Sequence, residues 1–263
     1  MLRIAMGIEY DGTAYNGWQR QRTGLGVQEL VEKALSKVAN EAIETTCAGR
    51  TDTGVHATGQ VVHFDTSAER ESRGWLLGAN SSLPNDVNVV WVQAVSDDFH
   101  ARYTATGRRY RYLILNRLVR SSLFRHRAWW VYRPLDVARM SAAALQLIGE
   151  HDFSAFRAAG CQARTAVREV SSLRIHRHSD WLMIDIAANA FLQHMVRNIS
   201  GLLVEIGTGD RDPAWATEVL ESRDRTCGGV AAPAHGLSLV GVEYPAEFGL
   251  PVPPTPVLFP GAD

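Results

Sequence analysis

The run Cys47-Ala-Gly-Arg-Thr-Asp-Thr-Gly-Val-His56 is the most informative in the chain for chemistry. Asp52 follows Arg50 by two residues and lies between Gly49 and Gly54. Its carboxylate is therefore expected on a loop, open to a substrate, with a cation close enough to favour the charged form. Such a group suits nucleophilic attack. A turn aspartate that only caps backbone amides leaves the same trace in a sequence, and spacing does not separate the two. His56 either assists a proton transfer beside Asp52 or fixes the loop.

A second element is the segment FLQHMVRNISGLLVEIG. At helical spacing Leu192, Met195, Val196, Ile199, Leu202, Leu203 and Ile206 share one apolar face, which leaves Gln193, Arg197 and Gly201 opposite it. Arg197 then points away from the core: an ordinary solvated arginine, unless that face lines a cleft. The third element is a block of charge. Residues 101–127 hold eight arginines (Arg102, Arg108, Arg109, Arg111, Arg117, Arg120, Arg125 and Arg127) and no acid, within a chain whose 27 basic and 28 acidic residues almost cancel. A genomic preference accounts for the 25 arginines set against only Lys33 and Lys37, but not for the missing acids. A phosphate-facing strip does. Tyr103, Tyr110 and Tyr112 interleave with these arginines, the composition of a surface for single-stranded RNA. The alternation in RRYRYLIL equally suits a half-buried strand.

Other chemistries lack their motifs. Gly207 and Gly209 form a lone GxG, no GxxxxGK[ST] is present, and no GxSxG marks an acyl-transfer nucleophile. Cys47, Cys161 and Cys227 are scattered without CxxC spacing, and His176 and His178 have no metal-binding companion. No cofactor, metal site or disulfide framework is expected, and a reducing cytoplasm fits. No apolar run is long enough for a membrane span, and MLRIAMGIEYDGT turns polar too early for a signal peptide.

These residues need elements to position them. At 263 residues, 46% hydrophobic and 21% charged, the chain can build one large domain or two ordinary ones. The patterning predicts strands at residues 2–9, 87–95, 108–115, 170–176, 181–186 and 237–244, and helices at 27–38, 135–148, 191–206 and 213–221. Two strands interrupted by a polar turn are expected within TTCAGRTDTGVHATGQVVHFDT, and YDGTAYNGWQRQ reads as a loop punctuated by glycine. Strands and helices alternate in both halves, which divides the chain into an N-terminal lobe (1–105) carrying the aspartate loop and a C-terminal lobe (106–263) carrying the tyrosine strand, the arginine helix and a tail. From Pro245 that tail holds six prolines in 19 residues and is expected to run as an extended strap.

The stretches EYDGTAYNGWQRQ, CAGRTDTGVHATGQVVHF, DDFHARYTATGRRYRYLI, DFSAFRA, ANAFLQHMVRNISG and AAPAHGLSLVGVEYP together resemble the tRNA pseudouridine synthase A family, in order and over nearly the whole chain. The resemblance implies an α+β pseudouridine synthase fold, with two RNP- or ferredoxin-like α/β lobes whose antiparallel sheets join and flank a basic cleft. It also implies a cytoplasmic homodimer that isomerises uridines 38, 39 and 40 in the anticodon arm of tRNA without cofactor or metal. Residue by residue, it makes Asp52 the catalytic aspartate, stacks Tyr110 on the target base, pairs Arg197 with the aspartate, and puts Leu237 and Arg50 at the substrate. Two other activities remain compatible with the residues themselves: a non-catalytic RNA-binding protein, and a nucleoside or sugar hydrolase using Asp52 as nucleophile.

Overall fold

The computed structural model describes residues 1–251, so most of the expected proline-rich strap (252–263) lies outside the described residues. The chain forms two compact units, the first made of residues 1–107 and the chain again from 239, the second of residues 108–238.

In the first unit the elements run β1 (Leu2–Tyr10), α1 (Val27–Ala39), β2 (Thr46–Cys47), β3 (His56–Thr66), α2 (Ser72–Asn80) and β4 (Val87–Val95). In the second they run β5 (Gly107–Asn116), β6 (Trp129–Val131), α3 (Val137–Leu145), β7 (Gly149–Asp152), β8 (Val167–His178), β9 (Trp181–Ala188), α4 (Met195–Gly207) and α5 (Trp215–Ser222). The final strand, β10 (Leu237–Glu243), returns the chain to the first unit.

The first unit's sheet has the order β4-β1-β3-β10, and β2 adds to β3. Both β4 and β3 run antiparallel to β1. Burial is nearly continuous along β1 and β3, because both faces of the sheet are covered. On one face Phe64 meets Trp75 of α2 edge to face, with centroids 5.2 Å apart, and α1 packs on α2. On the other, Ala5 and Val61 pack with Phe99, Ala101, Tyr244 and Phe248. The beginning of the proline-rich segment is thus anchored by Phe248, whose carbonyl also accepts from Gln93 Nε2 at 3.0 Å.

The second unit's sheet has the order β5-β9-β8-β7, antiparallel throughout, with β6 parallel to the outer part of β5. The helices α3, α4 and α5 pack on one another, and α3 on β8. All seven residues expected on the apolar face of the arginine helix are buried.

Two helices are shorter than their apolar patterns predict. The first, α3, begins only after Asp136, whose carboxylate accepts from the amides of Ala138 (2.8 Å) and Arg139 (3.1 Å). The second, α4, begins at Met195 rather than Phe191, because His194 adopts a left-handed backbone (φ 63°) that a right-handed helix cannot continue through. Among the described residues no helix is long and apolar enough to cross a membrane.

Candidate active site

Asp52 lies on the loop between β2 and β3, and that loop is tied down from several sides. Gln60, on β3 and fully buried, donates from Nε2 to the Gly49 carbonyl at 2.6 Å. Ala48 N–H donates to Val61 O at 2.8 Å. The remaining ties come from the end of β1 and the segment between β1 and α1. The phenol of Tyr10 and the hydroxyl of Thr51 are 2.8 Å apart in a buried hydrogen bond. Trp18 N–H donates to Thr51 O at 3.1 Å, and Gly54 N–H to Tyr15 O at 3.3 Å.

This close approach requires Gly17. Its φ is +87°, and a Cβ there would stand 2.4 Å from Thr51 O and 3.0 Å from the Asp52 carbonyl carbon. Tyr15, Trp18 and Tyr10 are themselves buried, and Tyr15 donates from its phenol to Asp86 at 2.5 Å. Burial, followed by that carboxylate, raises the Tyr15 pKa well above its usual value, so the phenol stays a donor at all physiological pH. Arg20 pairs with the buried Glu32 of α1, whose Oε1 also accepts from Thr45 N–H at 2.8 Å. The segment read from sequence as a glycine-punctuated loop is therefore the scaffold of the aspartate loop. Its signal was two glycines beside three aromatics, too many large apolar rings for a free surface loop.

Asp52 is half-buried and Arg50 exposed. His56 is buried at the start of β3, where Nδ1 lies 3.0 Å from Gly12 N and 3.1 Å from Asp11 Oδ1. These contacts tie it to the segment after β1, the loop-fixing role of the two weighed for it.

The other expected site residues, Tyr110, Arg197 and Leu237, belong to the second unit, as does Tyr112, the next tyrosine of the arginine block. Tyr110 and Tyr112 share one face of β5, both buried, and Tyr110 meets Phe191 edge to face at 5.0 Å. The Tyr112 phenol donates to Pro233 O at 2.6 Å, and a Cβ on Gly236, just before Leu237, would fall 2.6 Å from its ring. Burial raises the Tyr112 pKa well above 10, opposed by the nearby charge of Arg197. Leu237 itself is buried.

The structure narrows the two readings left open for the polar face of α4. Rather than lying open, it is crossed by the chain at 230–232. Arg197 Nε donates to Ala232 O at 2.8 Å, Ala232 N–H returns a bond to Arg197 O at 3.0 Å, and Gly201 lets the Val230 carbonyl approach to where a Cβ would be 1.9 Å away. Arg197 is thus a held side chain, not a solvated one.

The arginine block also reads differently in space. Arg111 and Asp185 are cross-strand partners and form a two-pronged pair at 2.7 and 2.9 Å. Arg117 lies 3.7 Å from Asp180, and Arg108 donates to Asn189 O at 2.9 Å. The eight arginines are therefore not one uniform phosphate strip: acids distant in sequence neutralise some of them. His176 and His178 are exposed near the end of β8, and no group of three His, Cys, Asp or Glu among the described residues is arranged to hold a metal.

By class, the chain is an α+β protein with a carboxylate carried on a loop that its own β1–α1 segment clamps. It belongs to the tRNA pseudouridine synthase family, whose model matches residues 6–104 and 143–245. Among curated proteins it is 55% identical over 251 residues to a tRNA pseudouridine synthase A of Coxiella burnetii, covering 95% of this chain and 96% of that one. It is 54% identical over 258 residues to the protein of that name from Pectobacterium atrosepticum (98% and 91% covered) and 53% identical over 258 residues to that from Vibrio cholerae (98% of each). The family's chemistry is an isomerisation.

Proposed function

We propose that the protein converts uridine to pseudouridine at positions 38, 39 and 40 of the tRNA anticodon arm, with Asp52 as the catalytic carboxylate. The observation that carries this reading is the clamped loop. A surface turn does not need Tyr10, Trp18, Gly17 and Gln60 to fix it, whereas an acid that must meet one atom of a bound nucleotide does.

The reaction breaks the bond from C1′ to N1, turns the detached uracil and joins C1′ to C5. C5 loses a proton and N1 gains one, so composition and oxidation level are unchanged and no redox partner enters. Cleavage places positive charge on the ribose, and the carboxylate of Asp52 stabilises or captures it, as a glycosidase nucleophile does. The target base leaves its stack at a cost of a few kcal/mol, which Tyr110 offsets by stacking. Arg197 balances the carboxylate charge, while Arg50 and Leu237 contact the substrate. The protein acts in the cytoplasm as a homodimer.

The test is Asp52→Asn on unmodified tRNA. Tritium release from C5-labelled uridine should fall to background while RNA affinity stays within about twofold of the parent, since the amide keeps the shape and loses the charge. Turnover near the parental level would overturn the assignment. Free uracil as product would identify a hydrolase instead, and tight binding with no C5 exchange by the parent a binding protein.

A further inference from the structure

The loop from β4 to β5 carries an exposed side chain that the proposed chemistry does not use. Its backbone is pinned. Phe99 N–H donates to Ser96 O (3.0 Å), Thr104 Oγ1 donates to His100 O (2.7 Å), the Tyr244 phenol donates to Ala101 O (2.6 Å), and Ala101 N–H donates to His63 Nδ1 (3.1 Å). Phe99, fully buried, is wedged against Tyr244 and Phe248 at 5.1 and 5.2 Å. From this rigid loop Tyr103 projects with 75% of its surface exposed. A large ring held outward by an ordered backbone loses little entropy when a second ring settles on it.

What lies behind and beside Tyr103 indicates the kind of ring. His100 stacks on it, with centroids 4.3 Å apart and planes 28° apart, and His63 backs His100 at 4.7 Å. His100 Nδ1 accepts from the amides of Arg102 (3.2 Å) and Tyr103 (3.1 Å), which keeps that nitrogen unprotonated. Burial is the main cause that lowers the pKa of both imidazoles, and for His100 it outweighs a backbone hydrogen bond that pulls upward, so both rings are neutral at physiological pH. Arg102 supplies the charge, its guanidinium 5.5 Å from the Tyr103 centroid. Ala48, of the aspartate loop, lies in one buried cluster with Phe99 and Ala101 of this loop. The loop's acids, Asp97 and Asp98, act on Arg3. A neutral aromatic stack flanked by a cation, sharing its neighbourhood with the aspartate loop, is complementary to a nucleobase and its phosphate.

We propose that Tyr103, backed by His100 and flanked by Arg102, is a stacking platform for an unpaired base of the RNA substrate other than the uridine that is isomerised. This rests on the reading of the substrate as tRNA, and the experiment separates the two. Affinity is measured for an anticodon-arm hairpin and for a fully paired RNA of equal length, using the parent, Tyr103→Ala and Tyr103→Trp. The platform predicts that Tyr103→Ala weakens hairpin binding about 5- to 100-fold and leaves the paired RNA unchanged, and that Tyr103→Trp restores the parental value. With 2-aminopurine placed in turn at each unpaired position, one position should be quenched by the parent and recover its emission with Tyr103→Ala. Hairpin binding by Tyr103→Ala at parental strength, or equal weakening toward both RNAs, would overturn the platform. Absence of pseudouridine with the parent would instead overturn the activity, and the binding comparison would still decide the platform.

Discussion

The hydrogen bond between Tyr10 and Thr51 joins a strand that carries no chemistry to the residue immediately before Asp52. Removing it tests whether clamping matters to the reaction or only to the fold. Tyr10→Phe leaves the ring against Trp18, 5.8 Å between centroids, and deletes a single buried hydroxyl. A buried bond of this kind contributes about 1 kcal/mol, so the thermal midpoint should drop by a few degrees. If the clamp holds Asp52 in reacting geometry, single-turnover conversion at saturating tRNA should fall about tenfold or more while the dissociation constant is unchanged. Thr51→Ser, which keeps a hydroxyl, should stay near the parental rate. A loss of stability with an unaltered rate would reduce the bond to a packing role.

At the scale of elements, two helix glycines make opposite predictions. In Gly201→Ala the new methyl would stand 1.9 Å from Val230 O and 3.3 Å from Ala232 N, so the backbone at 230–232 must move, and with it the carbonyl that holds Arg197. Overpacking of this kind costs about 1–3 kcal/mol, more than the roughly 1 kcal/mol of helix propensity gained. In Gly74→Ala the methyl would meet only Arg70 Cβ at 3.9 Å, and the midpoint should rise with about 0.5–1 kcal/mol of added stability. Thermal unfolding of both variants checks the pair, and a stable Gly201→Ala would mean that the chain at 230–232 is loosely held. The same contrast shows what the sequence could reveal. The helix α1, the strand β4 and the apolar face of α4 were legible because one face of each repeats at the element's own period. The helix α2 was not: Gly74 and Gly78 weaken its signal and only Trp75 and Ala79 are buried. Nor was β7, four residues of which two are acidic. The aspartate loop was legible as a loop, but its clamp was not, because contacts from residues 10–18 to 48–56 have no periodicity to read. Likewise the pairing of Arg111 with Asp185 joins residues 74 apart and vanishes from any local count of charge.

Across the whole molecule, charges that cancel in sum are distributed so that acid attacks the fold in two separate windows. Glu41, bonded by Thr66 and Ser67, and Asp210, bonded by Arg133 and Thr208, each have a pKa lowered to about 2. Their contribution is complete above the usual carboxylate range and disappears as pH falls from there toward 2. His63 acts earlier. Burial first, then the charges of His100 and Arg3, lower its pKa from 6.5 to about 4, against a smaller upward pull from Asp65. Between those values the unfolded chain binds a proton at this position that the folded chain refuses, so stability is full above pH 6.5 and declines as pH falls toward 4. The thermal midpoint of the parent should therefore decrease between pH 7 and pH 5, before Glu41 and Asp210 titrate. His63→Asn, whose amide oxygen can still accept from Ala101 N–H, should start lower at pH 7 and change less over the same interval. A parental midpoint that is flat from pH 7 to 5 would show that His63 is not held neutral by the fold.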